Sequence, residues 1–217
     1  EILTLKPNVH LERGANAVLY SGGKCIRGPQ AAGVVFGDKA LLQAAWLNSA
    51  PHHAFGRSLK VGKEEIMGML AAVEMWPKRD HKAEWAEWER RLGVIASAAE
   101  KAASGVTSKI TQPSADLSNR SPRLTIQWDA VKLGMTGTQL ARTLLDTEPR
   151  IVVAGSTENG ISIVPYQTMP GDEKIISARI AAFLSKPPRL PLVVKEPRTP
   201  ANAAGQWEAT IDYFGSP

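Results

Sequence analysis

Tyr20-Ser21-Gly22-Gly23-Lys24-Cys25-Ile26-Arg27-Gly28-Pro29-Gln30 joins two apolar runs and decides how the fold is read. The run before it, residues 15–21, reads as a buried strand entering a tight turn. The run after it, Ala31 to Phe36, is closed by Gly37 and reads as a neighbouring strand of the same sheet. A lysine at the end of a buried strand, inside a Gly-rich turn, has a partly desolvated amine. Desolvation favours the neutral form, whose lone pair can form an imine with an aldehyde. The flanking glycines allow the backbone to pass close to a flat ring. Ser21-Gly22-Gly23-Lys24 alone is a common tetrapeptide and would ordinarily be a surface loop.

Outward from this segment, Asp38 is placed to cap a helix through Leu41, Leu42, Ala45 and Trp46. Pro51 to Gly62 is polar and reads as an exposed or site-lining loop. The spacing of Ile66, Met69, Leu70 and Val73 predicts a helix over Lys63–Met75, interrupted by Pro77. A longer helix is predicted over Asp80–Ala103, with Trp85, Trp88, Leu92, Ile95 and Ala99 on one side. Alternating residues predict strands over 106–112 and 123–128. A helix over Thr136–Leu145 follows, then a strand pair over 151–154 and 160–164, then a helix over Asp172–Leu184. That order describes a compact α+β unit. Pro187 to Ala204 holds five prolines and reads as a linker, and Gln206 to Phe214 alternates like the start of a further strand.

The bulk numbers bound the function classes. The chain has 217 residues, 43% hydrophobic and 22% charged, as in an ordinary globular protein with one sizeable core or two small ones. No apolar run approaches the roughly 18 residues of a bilayer span, so no membrane partner is expected. Cys25 is the single cysteine, which excludes an intrachain disulfide framework and a multi-cysteine metal site and fits a cytoplasmic location. The net charge of +5 is spread along the chain, so a small anionic ligand ranks above nucleic acid. The chain opens at Glu1 without an initiator Met, as a piece of a longer protein or a processed chain would.

The longer string Tyr-Ser-Gly-Gly-Lys-x-x-Arg-Gly-Pro-Gln resembles the cofactor-lysine segment of fold-type I pyridoxal phosphate enzymes, in their selenocysteine synthase-like branch. Within that branch it looks closest to the D-glucosaminate-6-phosphate ammonia-lyase group. Gly56-Arg57-Ser58-Leu59-Lys60-Val61-Gly62-Lys63-Glu64-Glu65-Ile66 resembles that group's segment leading into the helix between large and small domains. Ile161-Ser162-Ile163 and Met169-Pro170-Gly171-Asp172-Glu173-Lys174 extend the likeness, which covers roughly residues 8–186. The implied fold class is α/β, the C-terminal part of a fold-type I pyridoxal phosphate-dependent transferase: the end of the large-domain sheet, a linking helix and a small α+β domain. The expected boundaries are 1–62 for the large-domain part, 63–103 for the linking helices, 104–186 for the small domain and 187–217 for the linker and a β extension.

The resemblance also implies roles. Lys24 would be the Schiff-base lysine and the group that moves the substrate α-proton. Ser21 and Gly23 would lie against the cofactor, with Arg27 and Gln30 shaping the loop or reaching an anion. Arg57 and Lys60 are the candidates for a substrate carboxylate or phosphate, because a guanidinium grips such groups bidentately. His53, in the loop before Arg57, is a weaker candidate. The implied cofactor is pyridoxal 5'-phosphate and the implied reaction is an ammonia-lyase or dehydratase step on an amino acid or amino sugar acid. A β-hydroxyl would leave as water, and a keto acid and ammonia would form.

In such enzymes the aspartate on the ring nitrogen, the ring-stacking group and the phosphate cup all precede the lysine, and only 23 residues precede Lys24 here. Either another chain supplies that half or the protein has been cut, and the resemblance implies a homo-oligomer. The alternatives are an L-seryl-tRNA selenium transferase-like enzyme and a non-catalytic partner subunit or fragment of a pyridoxal phosphate enzyme. Cys25 reads as a buried apolar residue, Trp85 and Trp88 as packing anchors, and Asp172 to Lys174 as a helix start. Asp80, His81 and Glu84 have a metal-like spacing but read as a solvated helix face, so no metal is expected.

Overall fold

The computed structural model describes residues 9–114 and 120–187. Helix α1 (Val9–Glu12) leads into β1 (Ala17–Ser21) and β2 (Gly33–Gly37), which form a two-stranded sheet. The two strands are neighbours, as the apolar runs require, and they run antiparallel with Tyr20 opposite Val34. Tyr20 meets Phe36 edge to face, with 5.9 Å between ring centroids. The expectation of a buried β1 is corrected. Leu19 is 75% exposed, and no residue of either strand is buried. An apolar run registers the demand for burial but does not supply the surface that meets it, and the flanking helices leave both strands half-buried at most.

Helix α2 (Lys39–Leu47) starts where Asp38 Oδ1 accepts from the Leu41 N–H at 2.9 Å. The 51–62 loop contains a 3-10 turn over Arg57–Leu59. Helix α3 (Lys63–Met75) has the predicted bounds, and Pro77 lies in the 3-10 turn Trp76–Lys78 that follows. Helix α4 (His81–Ala102) is capped by Asp80, whose side chain accepts from the Lys82 and Ala83 N–H groups. It buries Trp88, Leu92, Ile95 and Ala99.

The C-terminal unit is an antiparallel sheet of β3 (Thr107–Thr111), β4 (Arg123–Gln127), β5 (Gly155–Thr157) and β6 (Gly160–Ile163), in the order β3-β4-β6-β5. Leu124 pairs with Ile163 and Ile126 with Ile161. Those four side chains meet the buried face of α4, Leu140 and Leu144 of α6 (Gly137–Asp146), and Ile180 and Leu184 of α7 (Asp172–Ser185). A short helix α5 (Ala130–Leu133), absent from the sequence reading, follows the Asp129 cap. Thr136 and Gln139 close a reciprocal capping box at the start of α6.

One predicted strand is displaced. Residues 151–154 are not a strand; the pairing lies over Gly155–Thr157. Ala154 still donates to the Ser162 carbonyl at 2.8 Å, but Ile151 donates to the Leu144 carbonyl of α6 at 2.9 Å. That bond draws 151–153 towards the helix and off the ladder. The predicted linker and strand after Pro187 lie outside the described residues. Among the described residues no helix is long and apolar enough to cross a membrane.

Candidate functional site

The Lys24 loop is a closed excursion between paired strands. The Gly22 N–H donates to the Ala32 carbonyl at 2.8 Å, extending the β1–β2 ladder by one rung. The Gly28 N–H donates back to the Gly22 carbonyl at 2.8 Å, so residues 22–28 form a tight loop. Within it, Arg27 donates to the Lys24 carbonyl at 2.8 Å and adopts φ +62°, a left-handed conformation uncommon for a side-chain-bearing residue. Gly22 is buried, and a Cβ there would meet the Pro29 carbonyl at 2.6 Å, the Ala32 carbonyl at 2.7 Å and Met69 Sδ at 2.9 Å. A Cβ on Gly28 would meet Met69 Sδ at 2.8 Å. These glycines admit α3 and the loop's own carbonyls, which is a more local reason than the approach of a ring.

Lys24 is exposed at the loop tip, which corrects the expectation of a desolvated amine among the described residues. Its ammonium has no hydrogen-bond or ion-pair partner among them. The side chain borders a cleft of about 950 Å³ whose opposite wall belongs to the C-terminal unit. Arg123, at the start of β4, and Arg150, in the segment before β5, bring two more cations to that wall. The Arg123 guanidinium donates to Ser162 Oγ at 3.0 Å, and Arg150 pairs with Glu148 at 3.0 Å on the exposed surface. Gln112, Tyr166 and Thr168 add polar groups. Asp172 is the one carboxylate lining the cleft among the described residues, and its Oδ2 accepts from the Met169 N–H at 2.8 Å.

The other sequence candidates are placed as follows. Ser21 is exposed at the end of β1, opposite Gly33. Gln30 donates to the Gly23 carbonyl at 3.3 Å and braces the loop from within. Arg27 reaches Glu84 at 3.0 Å. Arg57 donates to the Pro51 carbonyl at 2.7 Å, and His53 and Lys60 are exposed; none of these three lines the cleft. Cys25 is half-buried beside Lys24, and burial pushes its thiol pKa up against the opposing charges of Arg79 and Arg27. Asp80, His81 and Glu84 are each engaged elsewhere: Asp80 caps α4, His81 Nε2 lies 2.9 Å from the Trp76 carbonyl, and Glu84 pairs with arginines. No group of three metal-ligating side chains occurs among the described residues.

Sequence reasoning missed Arg123 and Arg150. Each lies far downstream of Lys24 and in no motif, so only the fold brings them to the lysine. Their signal was faint: a basic residue opening a strand, and another in a short loop.

This geometry can be set beside known proteins. No family model matches the chain. It is 27% identical over 169 residues to the D-glucosaminate-6-phosphate ammonia lyase of Salmonella typhimurium, covering 77% of this chain and 43% of that protein. It is 33% identical over 70 residues to the L-seryl-tRNA(Sec) selenium transferase of Proteus mirabilis, covering 32% of this chain and 14% of that protein. A solved D-glucosaminate-6-phosphate ammonia-lyase superposes with a TM-score of 0.59 at 24% identity, over 80% of this chain and 46% of that one. The chain has the architecture of the C-terminal part of a fold-type I enzyme. Both curated relatives are homologues at modest identity, and the chain spans less than half the length of each.

A pyridoxal phosphate group, which the fold likeness raises as a candidate, would need an amine, a cationic partner for its phosphate and a carboxylate at its ring nitrogen. Lys24 offers a partnerless amine to an aldehyde, and Arg123 and Arg150 offer cations to an anion. Among the described residues the one carboxylate lining the cleft is Asp172, and its Oδ2 is engaged by the Met169 N–H at the start of α7.

Proposed function

We propose that this chain forms the lysine-bearing wall of a pyridoxal phosphate-dependent ammonia-lyase site for an amino sugar acid. The observation that carries this reading is the placement of Lys24 across one cleft from Arg123 and Arg150. The modest-identity likeness to an ammonia lyase named for a phosphorylated amino sugar acid supports it. When bound, pyridoxal phosphate supplies an electron sink for charge at the substrate α-carbon. The residues of this chain do the rest.

Lys24 Nζ is the attachment point for the aldehyde and the atom that accepts the α-proton. Arg123 and Arg150 hold the anionic groups of the substrate, because guanidinium forks match carboxylate and phosphate oxygens. Tyr166, which lines the cleft, would hydrogen-bond a sugar hydroxyl. Arg57 and Lys60 lie on a separate loop and would serve an anion only where another segment extends the site to them. In this reading a homo-oligomer or a second polypeptide supplies a carboxylate to the ring nitrogen, since Asp172 is the one carboxylate lining the cleft among the described residues.

A second reading, a transferase acting on an aminoacyl-tRNA, draws on the shorter and higher-identity match. Binding of tRNA in a filter assay, falling steeply with salt, would favour it. The deciding experiment for the first reading is borohydride reduction of the full chain after incubation with pyridoxal phosphate, followed by peptide mass mapping. The expected result is one adduct, on Lys24, absent in Lys24→Ala. No adduct, or label spread evenly over surface lysines, would replace this reading with that of a non-catalytic partner subunit.

A further inference from the structure

The loop that carries Lys24 is tied to α4 by Arg27 and by two charged side chains, Arg79 and Glu84, that none of the roles above uses. Arg79 is the centre. Its Nε and one terminal nitrogen grip both oxygens of Glu84, at 3.1 and 2.6 Å. Its other terminal nitrogen donates to the carbonyl of Cys25 at 2.8 Å, one residue past Lys24. The guanidinium lies over the Trp76 ring, 5.0 Å from its centroid, and the side chain is only 12% exposed. Glu84 Oε1 accepts a second guanidinium, that of Arg27, at 3.0 Å. The strained left-handed Arg27 backbone and the Cys25 carbonyl are thus held from one carboxylate. Burial opposes the charge on Glu84, but the hydrogen bonds and charge of Arg79, with Arg27 and His81, keep its pKa below the usual carboxylate range. His81, beside Glu84 on α4, faces the Trp76 ring at 4.4 Å between centroids.

We infer that Arg79 and Glu84 are positioning residues that fix the Lys24 loop to the first turn of α4. The inference rests on the Lys24 reading for its consequence and on the geometry above for its existence. Hydrogen bonds inside the loop set its shape, but they do not orient it against the cleft wall. Through Arg79 and Glu84, the helix that packs against β3, β4 and α7 also sets where the lysine stands. An exposed ion pair would matter little. Here the arginine is largely buried and its fork is shared among a carboxylate, a backbone carbonyl and a ring, a combination that a lysine ammonium cannot reproduce.

The test compares the full chain with Glu84→Ala and Arg79→Lys. Hydrogen exchange at the Arg27 and Gly28 amides is read together with that of α4 and the C-terminal strands. Exchange at the two loop amides is expected to rise about tenfold in both variants, with protection in α4 and β4 unchanged. Arg79→Lys keeps the charge and separates positioning from mere electrostatics. A second readout is the circular dichroism of pyridoxal phosphate attached at Lys24, whose induced band reports a fixed orientation. It is expected to fall several-fold in both variants at an unchanged melting temperature, with partial recovery in Glu84→Gln, which keeps one acceptor oxygen. Unchanged loop exchange, or a rise shared equally by α4 and the strands, would overturn the inference. A wild-type chain that takes no label on Lys24 would instead sink the lyase reading, and the exchange comparison would still decide the role of Arg79 and Glu84.

Discussion

Gly22 shows how narrowly the lysine loop is built. Two of the three contacts a Cβ would make there are backbone carbonyls, and the third is the end of Met69, a flexible side chain. A carbonyl pinned in a hydrogen-bonded loop cannot step aside as a thioether can. Gly22→Ala should therefore cost about 1–3 kcal/mol through overpacking of this loop. The yield of the Lys24 adduct should drop several-fold. The double variant Gly22→Ala with Met69→Ala removes only the soft contact and should not restore it. Recovery of the adduct in the double variant would show that Met69, not the loop backbone, sets the fit. Ile126 and Leu124, fully buried in the C-terminal unit, should keep their protection in either variant.

Helix α4 is the element on which most of the architecture depends. Its 22 residues extend about 33 Å at the usual rise per residue, from the lysine loop to the far end of the small sheet. Glu87 accepts from Arg90 and Arg91, Arg90 reaches the buried Glu173 of α7 at 3.0 Å, and Arg91 donates to the Thr168 carbonyl. The hydrogen bonds of Arg90 and then Arg91 hold Glu87 down to about 2, and Arg90 likewise lowers Glu173. A carboxylate with a depressed folded pKa stabilises the fold above its unfolded value and loses that contribution as pH falls through the folded value. The Glu87 pairs within α4 should thus weaken between about pH 4.5 and 2, and the Arg90–Glu173 link from α4 to α7 should weaken as Glu173 protonates below the ordinary glutamate range. The urea midpoint followed by tryptophan fluorescence should fall across that window, and Glu87→Gln should flatten the fall. Equal slopes for the two proteins would remove Glu87 from the account. Elements of this kind were readable in the sequence because their signals are local. Pro77 and the Asp38 cap lie beside the helices they bound, and the spacing of Ile66, Met69 and Val73 lies within α3. The antiparallel sense of β1 and β2, the shift of the strand from 151–154 to 155–157, and the meeting of Lys24 with Arg123 and Arg150 depend on distant partners. Alternation and motif spacing carry no information about those. The exposure of Lys24 belongs to the same class: the sequence marks a lysine in a Gly-rich turn, and only the neighbours decide whether water reaches it.

Across the whole molecule, packing is lopsided. Between residues 9 and 75 the buried apolar residues are Ala32 and Met69, whereas every other one lies at Trp88 or beyond. The same early segment exposes Leu19, Trp46, Phe55, Leu59 and Ile66, with Phe55 at 99%. These exposed side chains are the apolar surface on which a covering polypeptide would act. Local stability follows buried contact, so the two regions should open at different free energies. Limited proteolysis of the isolated chain should first cut within residues 39–62 and leave a resistant fragment containing α4, β3 to β6 and α7. The cuts should slow as protein concentration rises if a second copy provides the cover, and stay constant if a different polypeptide does. First cuts within β4, β6 or α7 would contradict the division. They would mean that the sheet formed by Leu124, Ile126, Ile161 and Ile163 depends for its stability on the exposed segment before it, and that the lysine loop and the arginine wall fold as one cooperative unit.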